Sequence, residues 1–532
     1  MPSELYSYGT WCEVYSAFWS SATVSAATSS ASRPQAVPAS VCTGVRCLLC
    51  FAVSFIVVIT AVRAGFWWRN DVGISFASGA ILTMAADLRD GIFYRPLLDA
   101  SGYGGTRYFP LYFCLHALLL KAGLPVLLSA YLLSTAILVF LMLGTFRLLR
   151  ELGVETWLAG CSALMLLASS SVQLSLFMPQ ADGLAAALNV WGLATIVPAP
   201  RTRGRLLLTA ILFTLAWSAK LTTVFGLAAA TVWLVSTGHK RTAWKLAAAT
   251  FCGYGIVAAA TVLASRGRVI QIFKACASGG MDWRFLGTAL GRMKATIIHG
   301  DPGLAWFLML GLLLTILTRP SKIVRSLPAL VLLAAVAVAV IIFGSPGTAV
   351  NHFLDVQVAA VILLATWVGT NDSPIEKQLG VCALALLTLI AAIPLLHHIK
   401  SWGRTYHPHH FQQVIQAIGS SNKPILSENA IIPVLAGQHP YVLDPWMTTL
   451  LRKRFPAFEL PLLQQLRSQS FSAVVLPDGD PTTSGARWWY DNACFGPGFV
   501  SALTEHYRLA TVVDEDWIYV PKTPAPAASG SQ

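Results

Sequence analysis

Apolar runs of about 17–22 residues recur along this chain from Cys47 to Leu396, and each can cross a hydrocarbon core roughly 30 Å thick at about 1.5 Å of helical rise per residue. In lipid the backbone polar groups must be satisfied within the segment itself, which selects helices over open strands. Composition agrees: 55% of residues are hydrophobic and 11% charged, against about 45–50% and 25% in soluble domains. The expected fold class is therefore an all-α polytopic membrane protein with about eleven transmembrane helices.

The spans are expected at about 47–67, 125–146, 157–177, 183–199, 206–219, 221–236, 246–264, 303–318, 328–344, 354–370 and 379–396, bounding a transmembrane domain at 47–396. Arg147/Arg150, Arg201/Arg203/Arg205, Lys240/Arg241/Lys245 and Arg319/Lys322/Arg325 then share one side, which the positive-inside rule makes cytoplasmic. The opposite side receives residues 67–110, the loop 265–302, the turn 345–353 and everything after about 397. This parity depends on a turn at Trp217-Ser218-Ala219-Lys220, and basic clusters on both sides of it argue for that turn. The net charge of +13 is dispersed among loops rather than gathered on one soluble face, so no nucleic-acid partner is expected. Most cysteines lie in or beside apolar runs and act as small hydrophobes. Only Cys276 and Cys494 fall clearly outside, so no disulfide framework is read.

Residues 1–46 are Ser/Ala-rich without the basic start and apolar core of a signal peptide, and read as a mobile tail. From 397 to 521 charge content becomes ordinary, and P-I-L-S-E, H-P-Y-V-L-D, F-S-A-V-V-L-P, Leu509–Val513 and Trp517–Val520 read as strands. With helical stretches between them they predict a small C-terminal α/β extracytoplasmic domain. Asp514-Glu515-Asp516 would turn the last hairpin, and 522–532 is a disordered tail.

Asp71 sits just past the first span, where partial desolvation raises a carboxylate's proton affinity and suits a general base. It could equally cap a helix starting near Val72. Ile74, Ala77, Ile81, Met84, Ala85 and Leu88 follow at helical spacing, as in a helix lying in the membrane interface. In the loop 265–302, Arg266, Arg268, Lys274, Arg284, Arg292 and Lys294 face only Asp282 and Asp301, a basic excess on the side where the topology rule disfavours it. Trp283, Leu286, Leu290, Met293 and Ile297 give it an apolar face, so it can lie on lipid with its cations toward phosphate, whether of a donor or of anionic headgroups. Asp182, Asn351, His352 and Asp355 are polar where apolar residues would insert more cheaply; they either face a cavity or serve as helix caps and interhelical bonds. Lys220 is expected to snorkel to the interface. His397, His398, His407, His409 and His410 crowd the entry to the last domain. H-P-H-H could hold a metal, but no companion ligand stands at a recognisable spacing, and a solvated linker is the plainer account.

N-D-V-G, then L-R-D-G-I-F-Y, then R-Y-F-P-L-Y resembles the first external loop of GT-C class glycosyltransferases. P-Q-A-D-G-L-A-A-A-L at Asp182, A-K-L-T-T at Lys220 and N-H-F-L-D at 351–355 also resemble that class. I-L-S-E-N-A followed by G-Q-H-P-Y-V-L-D-P is similar to the external domain of bacterial protein mannosyltransferase and aminoarabinose transferase-like families. The resemblance covers roughly Cys47 to Pro521. It implies a GT-C fold, a polyprenyl-phosphate-linked donor, and a catalytic acid in the first external loop, here Asp71. Arg107 and Tyr108 of R-Y-F-P-L-Y, Asp182, Asn351, His352, Arg284, Arg292 and Lys294 are the expected substrate-binding residues. Where relatives often carry a second acid beside the first, this chain has Val72 and Gly73, so no metal or other cofactor is expected.

The expectation is a bacterial inner-membrane enzyme that moves a sugar from a polyprenyl-phosphate carrier to a protein, lipid or polysaccharide acceptor at the extracytoplasmic face, with membrane lipids as its surroundings. A secondary transporter is the alternative from another class, although no paired broken-helix repeat supports it. A non-catalytic GT-C homologue acting as a scaffold in envelope polysaccharide assembly is the third.

Overall fold

The computed structural model describes residues 39–522 except 200, 277–280, 318–324, 346, 406–408, 456–457, 459 and 478. The expected tails therefore lie outside it, apart from residues 39–46 and Lys522. The first helix is α1, Ala39–Arg69. Residues 39–46 are helical and extend the first span rather than belonging to a tail.

Each of the eleven expected spans corresponds to helix. After α1 come α2 (Phe76–Arg89), α3 (Pro110–Lys121) and α4 (Val126–Glu151), then α5 (Thr156–Met165), α6 (Ser170–Phe177), α7 (Asp182–Ile196) and α8 (Arg203–Ala219). They are followed by α9 (Phe225–Ser236), α10 (Lys240–Ala264), α11 (Arg268–Cys276), α12 (Trp283–Gly287), α13 (Ala289–Gly300) and α14 (Pro302–Leu317). The last helices of the membrane part are α15 (Leu327–Ile342), α16 (Leu354–Gly369) and α17 (Pro374–Thr405). Five helical stretches among the described residues are long and apolar enough to cross a membrane alone. The expected span 157–177 is instead broken into α5 and α6, bent by 78°. The break has a cause: the buried Asp301 carboxylate accepts from the Ser171 amide at 3.0 Å and from the Ser169 hydroxyl, and from the Leu304 amide at 3.2 Å. One acid thus supplies acceptors to the orphan amides that start both α6 and α14.

Sequence periodicity predicts an interfacial helix after α1, and α2 is there, but Ser78 to Asp87 are all buried. It packs between α3 and the C-terminal domain, so its apolar stripe has protein on both sides. Ser75, not Asp71, is its N-cap, accepting from the Ser78 amide at 3.4 Å. The capping role open to Asp71 is thereby corrected.

The C-terminal domain carries a four-stranded sheet in the order β1-β2-β4-β3. Its strands are β1 (Ile425–Ser427), β2 (Ala473–Leu476), β3 (Tyr507–Val513) and β4 (Asp516–Pro521), with β1 and β2 parallel and the others antiparallel. Asp514 takes the left-handed conformation, φ 54°, that the tight turn between β3 and β4 demands and that Asp tolerates. Helices α18 (Phe411–Ile418), α19 (Ile431–Leu435), α20 (Pro445–Arg454), α21 (Leu460–Arg467), α22 (Ser484–Trp488) and α23 (Phe499–His506) surround the sheet. H-P-Y-V-L-D is not a strand of this sheet. It pairs with the first loop through an isolated parallel bridge between Tyr103 and Val442, with Tyr103 N to Tyr441 O at 2.7 Å and Leu443 N to Tyr103 O at 2.9 Å.

Candidate active site

Five segments far apart in sequence meet where the helix ends reach the C-terminal domain. Lys220 is the C-cap of α8, at the turn expected there, and its ammonium does not snorkel outward. It donates to Asp182 Oδ1 at 2.6 Å and lies 3.1 Å from His352 Nδ1. The side chains of Lys220, Asp182 and His352 are 18%, 12% and 20% exposed, so the pair outcompetes solvation of the lysine. Asn351 donates to Gln180 at 3.1 Å and to Asp182 at 3.4 Å. Asp355, one turn further into α16, has Lys220 and Asp182 as its charge neighbours. The Arg107 guanidinium has the Tyr108 hydroxyl, Asp444 and Asp182 as its electrostatic neighbours. Asp182 opens α7 and Asp355 lies in the first turn of α16, positions where a helix N-terminus favours a carboxylate.

Asp444 was legible in sequence only as part of G-Q-H-P-Y-V-L-D-P. Its position directly before a Pro is the signal of a helix start, and it is indeed the residue preceding α20. It is 2% exposed, and its carboxylate meets no described donor beyond the Trp446 and Met447 amides of the turn it precedes. Burial raises its pKa to about 6 against the pull of Arg107 and of the nearby Met447 and Trp446 amides.

Asp71 belongs to a neighbouring but separate set. It has φ 51° and accepts from the Tyr131 hydroxyl at 2.9 Å. Burial holds its pKa above the usual carboxylate value, while the Tyr131 bond and the charges of His409 and His410 pull it down. No member of the Asp182 cluster is among its partners. The segment does reach the same wall: Gly73 abuts the Phe177 carbonyl so closely that a Cβ would collide with it, and Phe177 ends α6 five residues before Asp182.

The two described histidines at the domain entry, His409 and His410, each face a carboxylate. His409 faces Asp516 at 3.3 Å and His410 faces Asp514 at 2.7 Å, and the His409 amide donates to the Asn70 carbonyl at 3.0 Å. His407 lies outside the described residues, as do the side chains of His397 and His398. Among the described residues no group of three or more His, Cys, Asp or Glu is placed to hold a metal.

The first loop is fastened to the C-terminal domain by residues that sequence reasoning did not single out. Arg95 grips Asp87 with two hydrogen bonds of 2.6 Å and donates to the Pro440 carbonyl at 2.7 Å. His439 approaches the same carboxylate at 3.3 Å. The Arg95 and Asp87 side chains are 8% and 4% exposed, so the fork is a desolvated, charge-assisted contact.

The basic loop divides. Arg284 and Lys294 are exposed. Arg292 instead donates to the Phe343 and Ser345 carbonyls at 2.6 and 2.9 Å and lies over the Phe285 ring, which caps the carbonyl end of α15. The expected apolar face also splits: Met293 and Ile297 are buried, while Trp283 and Leu290 are 84% and 68% exposed. The chemistry available at the site is thus a paired cation, an Arg flanked by acids and several desolvated carboxylates, an arrangement that can orient a polar substrate and accept protons.

No family model matches the sequence, and no curated protein does. Solved structures do. The Archaeoglobus fulgidus oligosaccharyltransferase in complex with Zn and sulfate aligns with a TM-score of 0.55 at 13% identity over 86% of this chain and 71% of that one. ArnT from Cupriavidus metallidurans bound to undecaprenyl phosphate aligns with a TM-score of 0.55 at 12% identity over 88% and 98%. The archaeal oligosaccharyltransferase AglB from Archaeoglobus fulgidus, in complex with an inhibitory peptide and a dolichol-phosphate, aligns with a TM-score of 0.51 at 12% identity over 90% and 75%. The chain therefore has the fold of the GT-C polytopic membrane glycosyltransferases.

Proposed function

We propose that this protein is a glycosyltransferase that moves a sugar from a polyprenyl-phosphate carrier to an acceptor at the extracytoplasmic face of the membrane. One observation carries the reading: Arg107, Asp182, Lys220, Asn351/His352/Asp355 and Asp444, drawn from five separate stretches, converge on one desolvated site. The fold around it is shared with a transferase whose structure holds undecaprenyl phosphate. A convergence of charges that costs desolvation is retained where it serves a substrate.

In this reading Asp71 takes the acceptor hydroxyl's proton as that oxygen attacks the anomeric carbon, and the carbon–phosphate oxygen bond breaks. The released polyprenyl phosphate keeps the bonding electrons. Burial lifts the proton affinity of Asp71 in the direction a general base needs. Arg107 and Lys220 are the fixed cations nearest the converging helix ends and would stabilise the leaving phosphate. Arg284 and Lys294, exposed on the basic loop, suit the approach of an anionic lipid, whereas Arg292 supports the turn beneath.

The test is release of polyprenyl phosphate from labelled polyprenyl-phosphate sugars by purified protein supplied with mixed membrane acceptors. Asp71→Asn is expected to cut release by about 10²–10⁴-fold with the thermal unfolding profile unchanged. Retained turnover in that variant would remove Asp71 from the mechanism, and absence of release by the wild type would remove the transfer reading.

A further inference from the structure

Around the first turn of α20 the chain leaves two buried polar atoms without hydrogen-bond partners among the described residues. They are the indole nitrogen of Trp446 and the hydroxyl of Thr449, and beside them the Asp444 carboxylate meets no described donor beyond the Trp446 and Met447 amides of its own turn. Burying such groups unpaired is costly, so each calls for a partner from outside the chain, a ligand or a water.

Beside them stands an aromatic surface. The indoles of Trp446 and Trp489 lie 6.2 Å apart and 24° from parallel, and Phe76 adds its ring 6.0 Å from Trp489. Both indoles are only part-buried. Each is fixed in orientation: Trp489 donates to the buried Glu428 at 2.9 Å, and the Trp446 ring rests on Gly347, where a Cβ would come within 3.1 Å. Gly347 lies in the turn that leads to Asn351 and His352, and Arg107 links Asp444 electrostatically to Asp182. The aromatic surface thus adjoins the polar cluster on its C-terminal-domain side.

We infer that Trp446, Trp489 and Asp444 form a sugar-ring subsite, in which the indoles cover the apolar face of the ring and the Asp444 carboxylate accepts from two of its hydroxyls. The inference rests on the glycosyl-transfer reading above and specifies where its sugar is held. A flat indole offers a sugar ring an apolar face without asking for its hydroxyls, and rigid aromatics cost little entropy to order. An ionised carboxylate has about four acceptor sites, so the two amides leave it room for a pair of neighbouring hydroxyl donors. The ring can be that of the lipid-linked donor or that of a saccharide acceptor, since both present the same chemistry.

The test uses the full chain in lipid nanodiscs and a panel of methyl glycosides, hexose and pentose, read by saturation-transfer NMR and by tryptophan fluorescence. At least one methyl glycoside is expected to bind, with affinity falling about tenfold in Trp446→Phe and in Asp444→Asn. Because Asn keeps an acceptor oxygen for the Trp446 and Met447 amides and buries no charge, Asp444→Asn is expected to keep or raise the midpoint of thermal unfolding while it loses sugar. A purely structural acid would show the reverse. Competition by a short-chain prenyl-phosphate sugar, but not by the prenyl phosphate alone, assigns the subsite to the donor. Glycoside binding that withstands this competitor assigns it to the acceptor.

The inference falls if no glycoside in the panel binds, or if Asp444→Asn lowers the unfolding midpoint and leaves glycoside affinity unchanged. The two readings separate cleanly. Polyprenyl-phosphate release that persists with unchanged KM for both substrates in the Trp446 and Asp444 variants removes the subsite and leaves the transfer reading. Glycoside binding without any release by the wild type removes the transfer reading and leaves the subsite.

Discussion

Asp71 and Asp444 are both carboxylates raised by burial, and their surroundings make different predictions. In Asp71 the Tyr131 hydroxyl bond opposes the rise, so Tyr131→Phe should push the pKa further up. A general base works ionised. The acid limb of the rate–pH profile is therefore expected to lie above pH 3.8 in the wild type and to move to higher pH in Tyr131→Phe; an unmoved limb would mean that another group governs it. For Asp444 the folded value of about 6 stands above the ordinary aspartate value of 3.8. The folded chain thus holds a proton that the unfolded chain releases between those values. This residue's contribution to stability is complete below that window and is lost as pH rises through it.

At the scale of elements, the Arg95–Asp87 fork lies within the first loop and holds Arg95 where it reaches the Pro440 carbonyl of the C-terminal domain. Arg95→Met strands a buried carboxylate and should cost about 3–5 kcal/mol. The double variant Arg95→Met/Asp87→Leu should recover much of that loss, which thermal or denaturant unfolding in detergent would measure. The basic loop offers a second contrast. Arg292→Ala removes the donors that hold the end of α15, so unfolding should come earlier. Arg284→Ala, at an exposed position, should leave unfolding unchanged and raise KM for the lipid-linked donor. Equal unfolding midpoints for the two variants would contradict this division.

The same elements show what the sequence discloses and why the rest stays hidden. Hydrophobic runs report helices because a segment in lipid must satisfy its own backbone, and among the described residues helix covers most of each expected run. The strands of the last domain were visible for a similar local reason, apart from H-P-Y-V-L-D, whose partner lies in the first loop. The break at Ser169 was not visible, because its cause is Asp301, 132 residues away. Lys220 read as a snorkelling lysine for the same reason: Asp182 and His352 are distant in sequence. Periodicity also showed the apolar stripe of α2 without showing that protein rather than lipid covers it. Residues contributed by motifs could be named from sequence, but their pairings could not.

In the molecule as a whole, a helical membrane body and an α/β domain share one interface, and the polar cluster lies within it. The first loop holds the C-terminal domain by Arg95, by the Tyr103 bridge and by Asn429, whose amide donates to the Ile74 carbonyl at 2.6 Å. Removing the chain beyond residue 420 should therefore expose the first loop to protease, with new cleavage between Arg89 and Arg107, while the helices of the membrane body stay resistant. Unchanged resistance there would show that the loop holds its shape alone.

The Arg95–Pro440 contact joins residues 345 apart in sequence. At about 5–20 residues per second of synthesis, the loop waits roughly 20–70 s on the ribosome for the partner that buries its charges. Maturation of this site is therefore a late, post-insertion event, and a ribosome that stalls before the C-terminal domain leaves behind a threaded protein with an unassembled centre.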